Sequence, residues 1–311
     1  MLNLESIGRK MEAKKPFGFK ALRKELKPGI AVFALSCICL IITVLAVSWI
    51  GVVKQLKIIG EGYDALSGLS NMTIFSYFDG SFFDVITNLN DTQIAAVGRM
   101  IMLIMFISYA SFIALLIVLL FVKKKKEPEL VDVVRKPDAK LFLESLAFVA
   151  ILNLILESIV VALMDTSFAS AETLRKINII STSGGTFLTL AVSGILTPVV
   201  EEIFFRFCLQ RALSKFSPVV SLVFVSLSFG ILHVSLIQIV FAVIMGFVLG
   251  IIFEMTGNIL YPIAMHIYIN VSGCIIGLFD LPELVTYLLF AIIPLFFSIF
   301  VILLQRRRQT V

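Results

Sequence analysis

Hydrophobic residues in this chain fall into long, nearly unbroken runs separated by shorter polar stretches, without the alternation that buries one face of a strand. An apolar run of about 20 residues predicts a helix that crosses a bilayer. Eight such runs are readable: Ile30–Val53, Met100–Val122, Leu141–Met164, Gly185–Leu213, Pro218–Val234, Leu236–Met255, Leu260–Phe279 and Leu284–Leu304. The fourth is overlong, which predicts tilt or extension past the bilayer, and the fifth is short for a crossing. The pattern therefore predicts an all-α polytopic membrane protein of about eight transmembrane helices.

Composition sharpens this picture by leaving nothing for a soluble domain. Of 311 residues 59% are hydrophobic, 28 are Phe and 15% are charged, and the mean hydropathy is +1.04. Charge then fixes orientation. With the N-terminus cytoplasmic, the inner segments hold the Lys and Arg before Gly29, those from Lys123 to Lys140, Arg206, Arg211, Lys215 and Arg306 to Arg308, which is 21 of the 26 basic residues. Both termini are expected on the cytoplasmic side, and residues 1–29 carry no pattern of a cleaved signal. The net charge of +5 is expected to meet anionic lipid headgroups. No aromatic interleaving or nucleic-acid motif accompanies it, so nucleic acid is not an expected partner. The four cysteines, Cys37, Cys39, Cys208 and Cys274, all lie in apolar runs and are expected to behave as small hydrophobes.

The chain divides accordingly. Residues 1–29 form a basic cytoplasmic segment, and residues 30–140 form two spans with an outer loop at 54–96 and a basic inner loop at 123–140. Residues 141–283 make a membrane domain that holds the chemistry, and residues 284–311 a last span with a basic tail.

Polar groups at bilayer depth are costly and mark function by default. The fourth span reads Thr197-Pro198-Val199-Val200-Glu201-Glu202-Ile203-Phe204-Phe205-Arg206. Residues four apart share a helix face, so Glu202 can pair with Arg206 while Glu201 points elsewhere as the chemically free carboxylate. The alternative is that both glutamates only neutralise Arg206 and join helices, but one guanidinium neutralises one carboxylate. The fifth span places Phe229 four residues before His233, and the seventh places His266 four before Asn270. A single membrane histidine is often only a hydrogen-bonding link between helices. Here the chain's two histidines both belong to polar constellations, on spans that follow the one carrying Glu201.

Glu-Glu-x-x-x-Arg, Phe-x-x-x-His and His-x-x-x-Asn, in this order on separate spans, resemble the CPBP family, also called Abi: intramembrane proteases that include the type II CAAX prenyl endopeptidases and bacteriocin-processing or immunity proteins. The turn from Thr256 to Pro262 resembles the one that precedes the third motif, and the likeness extends over roughly Phe142 to Leu278. The resemblance implies an endopeptidase in which Glu201 and His233 activate a water, His266 and Asn270 stabilise the oxyanion, and Glu202, Arg206 and Phe229 support them. It also implies a membrane-associated or prenylated peptide or protein as substrate, and no cofactor. A short chain of this kind suits a bacterial plasma membrane.

Three other readings stay open at this point. Glu201, His233 and His266 are a ligand set for catalytic zinc, although an amide one turn from His266 suits an oxyanion donor better than a ligand. Buried Glu, His and Arg also serve proton-coupled transporters, which are commonly built from internal repeats that this sequence lacks. A non-proteolytic scaffold or immunity protein of the same family is the third. Glu254, near the inner end of the sixth span, is expected to snorkel to the interface, and Glu144, Asn153 and Glu157 are expected to serve structure.

Overall fold

A computed structural model of the protein describes residues 19–52, 61, 89–123, 132–164, 171–233 and 236–279. Among these residues there is no strand. Eight helices follow in order: α1 (Phe19–Val52), α2 (Asp91–Lys123), α3 (Ala139–Met164), α4 (Ala171–Thr182), α5 (Gly185–Leu213), α6 (Pro218–Ile231), α7 (Leu236–Thr256) and α8 (Leu260–Phe279). A single 3-10 turn, Asp132–Val134, precedes α3.

Four segments are long and apolar enough to cross a membrane, Asp91–Leu120, Ala139–Ile159, Gly185–Leu213 and Ile237–Thr256. A fifth is the pair Lys20–Lys27 and Gly29–Thr43, bent by 44°. The break falls at Pro28, whose missing N–H interrupts the helical ladder. Pro218–Ile231 and Leu260–Ile275 are apolar but shorter, and the expected last span, Leu284–Leu304, lies outside the described residues. Among the described residues four or five segments can thus cross a membrane, against about eight expected over the whole chain. Large apolar side chains such as Ile42, Val118, Phe148, Phe187, Phe224 and Leu232 are exposed on the outside of the bundle. In water such a surface would drive aggregation, whereas lipid is its natural solvent.

α5 is the axis of the bundle and packs against α1, α2, α4, α6, α7 and α8. Its backbone switches to π-helical bonding twice. Gly185–Leu188, Thr197–Glu202 and Arg211–Leu213 are α-helical, and Thr189–Leu196 and Ile203–Gln210 are π-helical. Pro198 accounts for the first change: with no N–H to offer, it cannot close an α-helical bond, and the Thr197 N–H reaches back five residues to the Val192 carbonyl.

Two apolar clusters flank the axis. Phe112, Leu116, Val200, Ile203, Cys208 and Phe253 form one, and Val149, Met245, Leu249, Ile252, Met265 and Ile269 form the other. α6 and α7 approach so closely that a Cβ on Gly230 would stand 2.3 Å from Val243 Cγ2. Between α7 and α8, Gly257 turns the chain with φ 60°, a conformation open to glycine. Asn258 fixes the turn by donating its Nδ2 to the Arg135 carbonyl at 2.7 Å and accepting the Leu260 N–H at 3.0 Å. The Thr256–Pro262 turn is thereby tied to the segment that leads into α3.

The polar segment between the third and fourth apolar runs contains the amphipathic helix α4, anchored by a bidentate pair from Arg175 to Asp91 at 2.8 and 2.9 Å. Glu254 is held by two hydrogen bonds near the end of α7. It accepts from Gln210 Nε2 at 3.0 Å and from the Ser214 hydroxyl, because Gln210 is fully buried and needs an acceptor at that depth.

Candidate active site

The α-helical stretch Thr197–Glu202, held between the two π-helical ones, presents both glutamates to α8. Glu202 and Arg206 are 0% exposed, and Glu202 Oε2 faces Arg206 Nε at 3.1 Å. The pairing read from their spacing is therefore present. Arg206 Nη2 also donates to the Gly246 carbonyl of α7 at 3.0 Å, which ties the pair to a third helix. Its guanidinium lies over the Phe229 ring, 5.7 Å from the centroid.

His266 joins the two carboxylates. Its Nδ1 is 2.9 Å from Glu202 Oε1, and its Nε2 is 3.5 Å from Glu201 Oε2. Neighbouring helical residues diverge by about 100°, yet one imidazole from α8 spans the gap because its nitrogens face opposite ways. The Glu202 carboxylate accepts, so Nδ1 carries a proton and Nε2 is turned toward Glu201. Glu201 keeps 30% of its side chain exposed where its neighbour keeps none. It is the carboxylate that a water or substrate can reach.

Phe229 organises the rest. Its ring lies 5.3 Å from that of His233 and 5.5 Å from that of His266, both edge-on, and Phe205 packs against it at 5.2 Å. Just beyond the end of α6, His233 Nδ1 donates to the Phe229 carbonyl at 3.1 Å. A carbonyl can only accept, so this bond places the proton on Nδ1 and leaves Nε2 with a lone pair when the ring is neutral. Among the described residues His233 forms no ion pair with Glu201, so the two base candidates are separate groups.

Asn270 Nδ2 donates to the Ser193 carbonyl at 3.0 Å. That carbonyl is free because its π-helical partner would be the N–H of Pro198, which does not exist. The amide keeps a second N–H to offer. Ser193 and Pro198 thus position Asn270, a role no motif announces, although a proline within an apolar run is the signal that a carbonyl nearby lacks its partner.

Glu201 also lines a cavity of about 580 Å³. Leu26 and Ile30 from α1, Tyr109 and Phe112 from α2, Phe204 and Phe205 from α5, and Leu232 contribute to its wall. The lining is overwhelmingly apolar, and among the described residues Glu201 is its one charged member. Glu201, Glu202, Arg206, His266 and Phe229 are gathered in mutual contact, with His233 and Asn270 fixed beside them by backbone carbonyls. Among the described residues no three His, Cys, Asp or Glu side chains are grouped to hold a metal ion, and His266 Nδ1 is already committed to Glu202. The set Glu201, His233 and His266 does not fit zinc in this arrangement.

No curated protein and no solved structure matches the chain. Residues 183–272, which contain every motif residue of this site, match the family model described as type II CAAX prenyl endopeptidase Rce1-like, so that this stretch is similar to the CAAX-type membrane proteases.

Proposed function

We propose that the protein is an intramembrane endopeptidase that hydrolyses a peptide bond of a membrane-associated substrate with water activated by Glu201 and His233. The observation that carries this reading is the asymmetry of the adjacent glutamates. Glu202 is sealed between Arg206 and His266, and Glu201 stands partly exposed on an apolar cavity, 3.5 Å from the imidazole that its neighbour holds in place.

In the proposed reaction the water oxygen attacks the scissile carbonyl as its proton passes to Glu201, with His233 Nε2 as the second acceptor. The carbonyl π electrons move onto oxygen. That oxyanion is met by the protonated Nε2 of His266 and by the second N–H of Asn270, preorganised donors in a site with little water. Glu202 and Arg206 support this geometry, since the buried carboxylate holds the His266 ring through Nδ1 at 2.9 Å and the guanidinium balances the carboxylate. Collapse breaks the C–N bond, and the leaving amine takes back the proton held by Glu201. The scheme assigns these steps to side chains alone, and among the described residues no three His, Cys, Asp or Glu side chains are grouped as a metal would need.

An apolar cavity of about 580 Å³ beside a single carboxylate suits an isoprenoid or other lipid-modified peptide tail, in keeping with the family match. The setting we assign is a plasma membrane, with the basic inner segments against anionic lipids. Purified protein is given a farnesylated peptide ending in Cys-aliphatic-aliphatic-X in water enriched in ¹⁸O. A shortened product with one labelled oxygen in its new carboxylate is expected, and an intact peptide after prolonged incubation would overturn the reading.

A further inference from the structure

The match to the protease family begins at residue 183, yet the cavity that holds Glu201 is closed on one side by α2. Ser108 and Tyr109 of that helix line it together with Glu201. The Tyr109 phenol comes up against the Thr197 hydroxyl and lies within reach of the Glu201 charge. Thr197 and Glu201 are four residues apart on the α-helical stretch Thr197–Glu202 and share a face. Three oxygens from two helices therefore converge: Tyr109 Oη, Thr197 Oγ1 and a Glu201 carboxylate oxygen.

One of these is an orphan. Thr197 Oγ1 is buried and completes no hydrogen bond to a protein group, the neighbouring Tyr109 phenol included, and Ser108 Oγ on the wall of the cavity completes none either. Buried hydroxyls are nearly always satisfied, by ordered water where protein offers nothing. A buried water makes about three hydrogen bonds, and an otherwise apolar wall leaves it few competing places.

We propose that Tyr109 and Thr197 are positioning residues that hold the hydrolytic water against Glu201. This rests on the reading of Glu201 as base. The water accepts from the Thr197 hydroxyl, whose oxygen the Tyr109 phenol faces, donates one hydrogen to the Glu201 carboxylate and the other to His233 Nε2, and keeps one lone pair for attack. Only the proton on Glu201 transfers; Tyr109 and Thr197 keep theirs. The titratable and charged groups facing Glu201 are His266, Glu202, Arg206 and Tyr109, and of these only Tyr109 comes from outside the matched segment.

The test compares Tyr109→Phe, Thr197→Val, the double variant and Glu201→Gln with wild type, each as the full chain in detergent micelles, on a fluorogenic farnesylated peptide. Both single variants keep side-chain shape. Each is expected to lower kcat by about 10- to 100-fold, the scale of a misplaced reactant, with KM and melting temperature unchanged. Because both act on one water, the double variant should lose little more than the worse single one. Wild-type turnover in both single variants, with Glu201→Gln inactive, would overturn the inference and leave the glutamate reading standing. A raised KM with unchanged kcat would make these residues substrate contacts and also overturn it. Full turnover by Glu201→Gln would overturn both. Should Tyr109→Phe fail to fold, Thr197→Val alone decides by the same criteria.

Discussion

Replacing Arg206 with Ala separates the structural carboxylate from the chemical one. Glu202 and Arg206 are each 0% exposed and face each other at 3.1 Å, and removing one partner of a buried pair costs about 3 to 5 kcal/mol because the remaining charge is left unpaired. His266 Nδ1 stays at 2.9 Å from Glu202 and can take up part of that charge, which favours the lower figure. Against this, the Gly246 carbonyl loses its 3.0 Å donor, worth about 1 kcal/mol. A loss of about 4 kcal/mol is therefore expected, enough to remove much of the stability of an ordinary domain. Glu201→Ala should cost under about 1 kcal/mol, in the range of substitutions at partly solvated positions. The combination Glu202→Gln with Arg206→Met should recover much of the loss, since no charge is then buried alone. Thermal unfolding in a single detergent, with the folded fraction followed by size exclusion, measures all three. Equal destabilisation by Arg206→Ala and Glu201→Ala, or no recovery in the combined variant, would refute the reasoning.

Three further outcomes are expected. Asn270→Ala should lower kcat by about 10² to 10³, as loss of one oxyanion donor does elsewhere, with substrate affinity retained in a binding assay on the uncleaved peptide. Gly230→Ala places a methyl 2.3 Å from Val243 Cγ2 and 3.0 Å from the Ile239 carbonyl, so α6 and α7 must part and melting should report a loss of about 1 to 3 kcal/mol. Prolonged exposure to a strong chelator should leave turnover unchanged, with no stoichiometric metal by elemental analysis; activity lost on chelation and restored by zinc would contradict the metal-free scheme.

Much of the membrane architecture is legible in hydropathy because lipid demands a continuous apolar run from each spanning helix. Gly185–Leu213 was readable to both ends, and Leu260–Phe279 is helical throughout. The Glu202–Arg206 pair was legible for a different reason, since helical spacing alone brings residues four apart together. What lay beyond the sequence depends on contacts between helices. That His266 spans both glutamates, that Asn270 is held by Ser193, and that Gln210 donates to Glu254 are facts of α5 against α7 and α8. Tyr109 was invisible for the same reason: nothing near it in the chain is chemical, and the distance to Glu201 along the sequence says nothing of distance in the bundle. α4 leaves no mark in a hydropathy profile because a surface helix with a polar face has no continuous apolar run. The π-helical stretches had one local cue, Pro198, which shifts the bonding register.

The central claim is that Glu201 takes the proton of the attacking water. The most direct measurement is the turnover of a farnesylated peptide by Glu201→Gln against wild type, at matched amounts of folded protein. The amide keeps the shape of the side chain and cannot accept the proton, so kcat should fall by about 10² to 10⁴, the contribution of a general base, with an unchanged melting temperature. Turnover by the Gln variant within a few-fold of wild type would contradict the account.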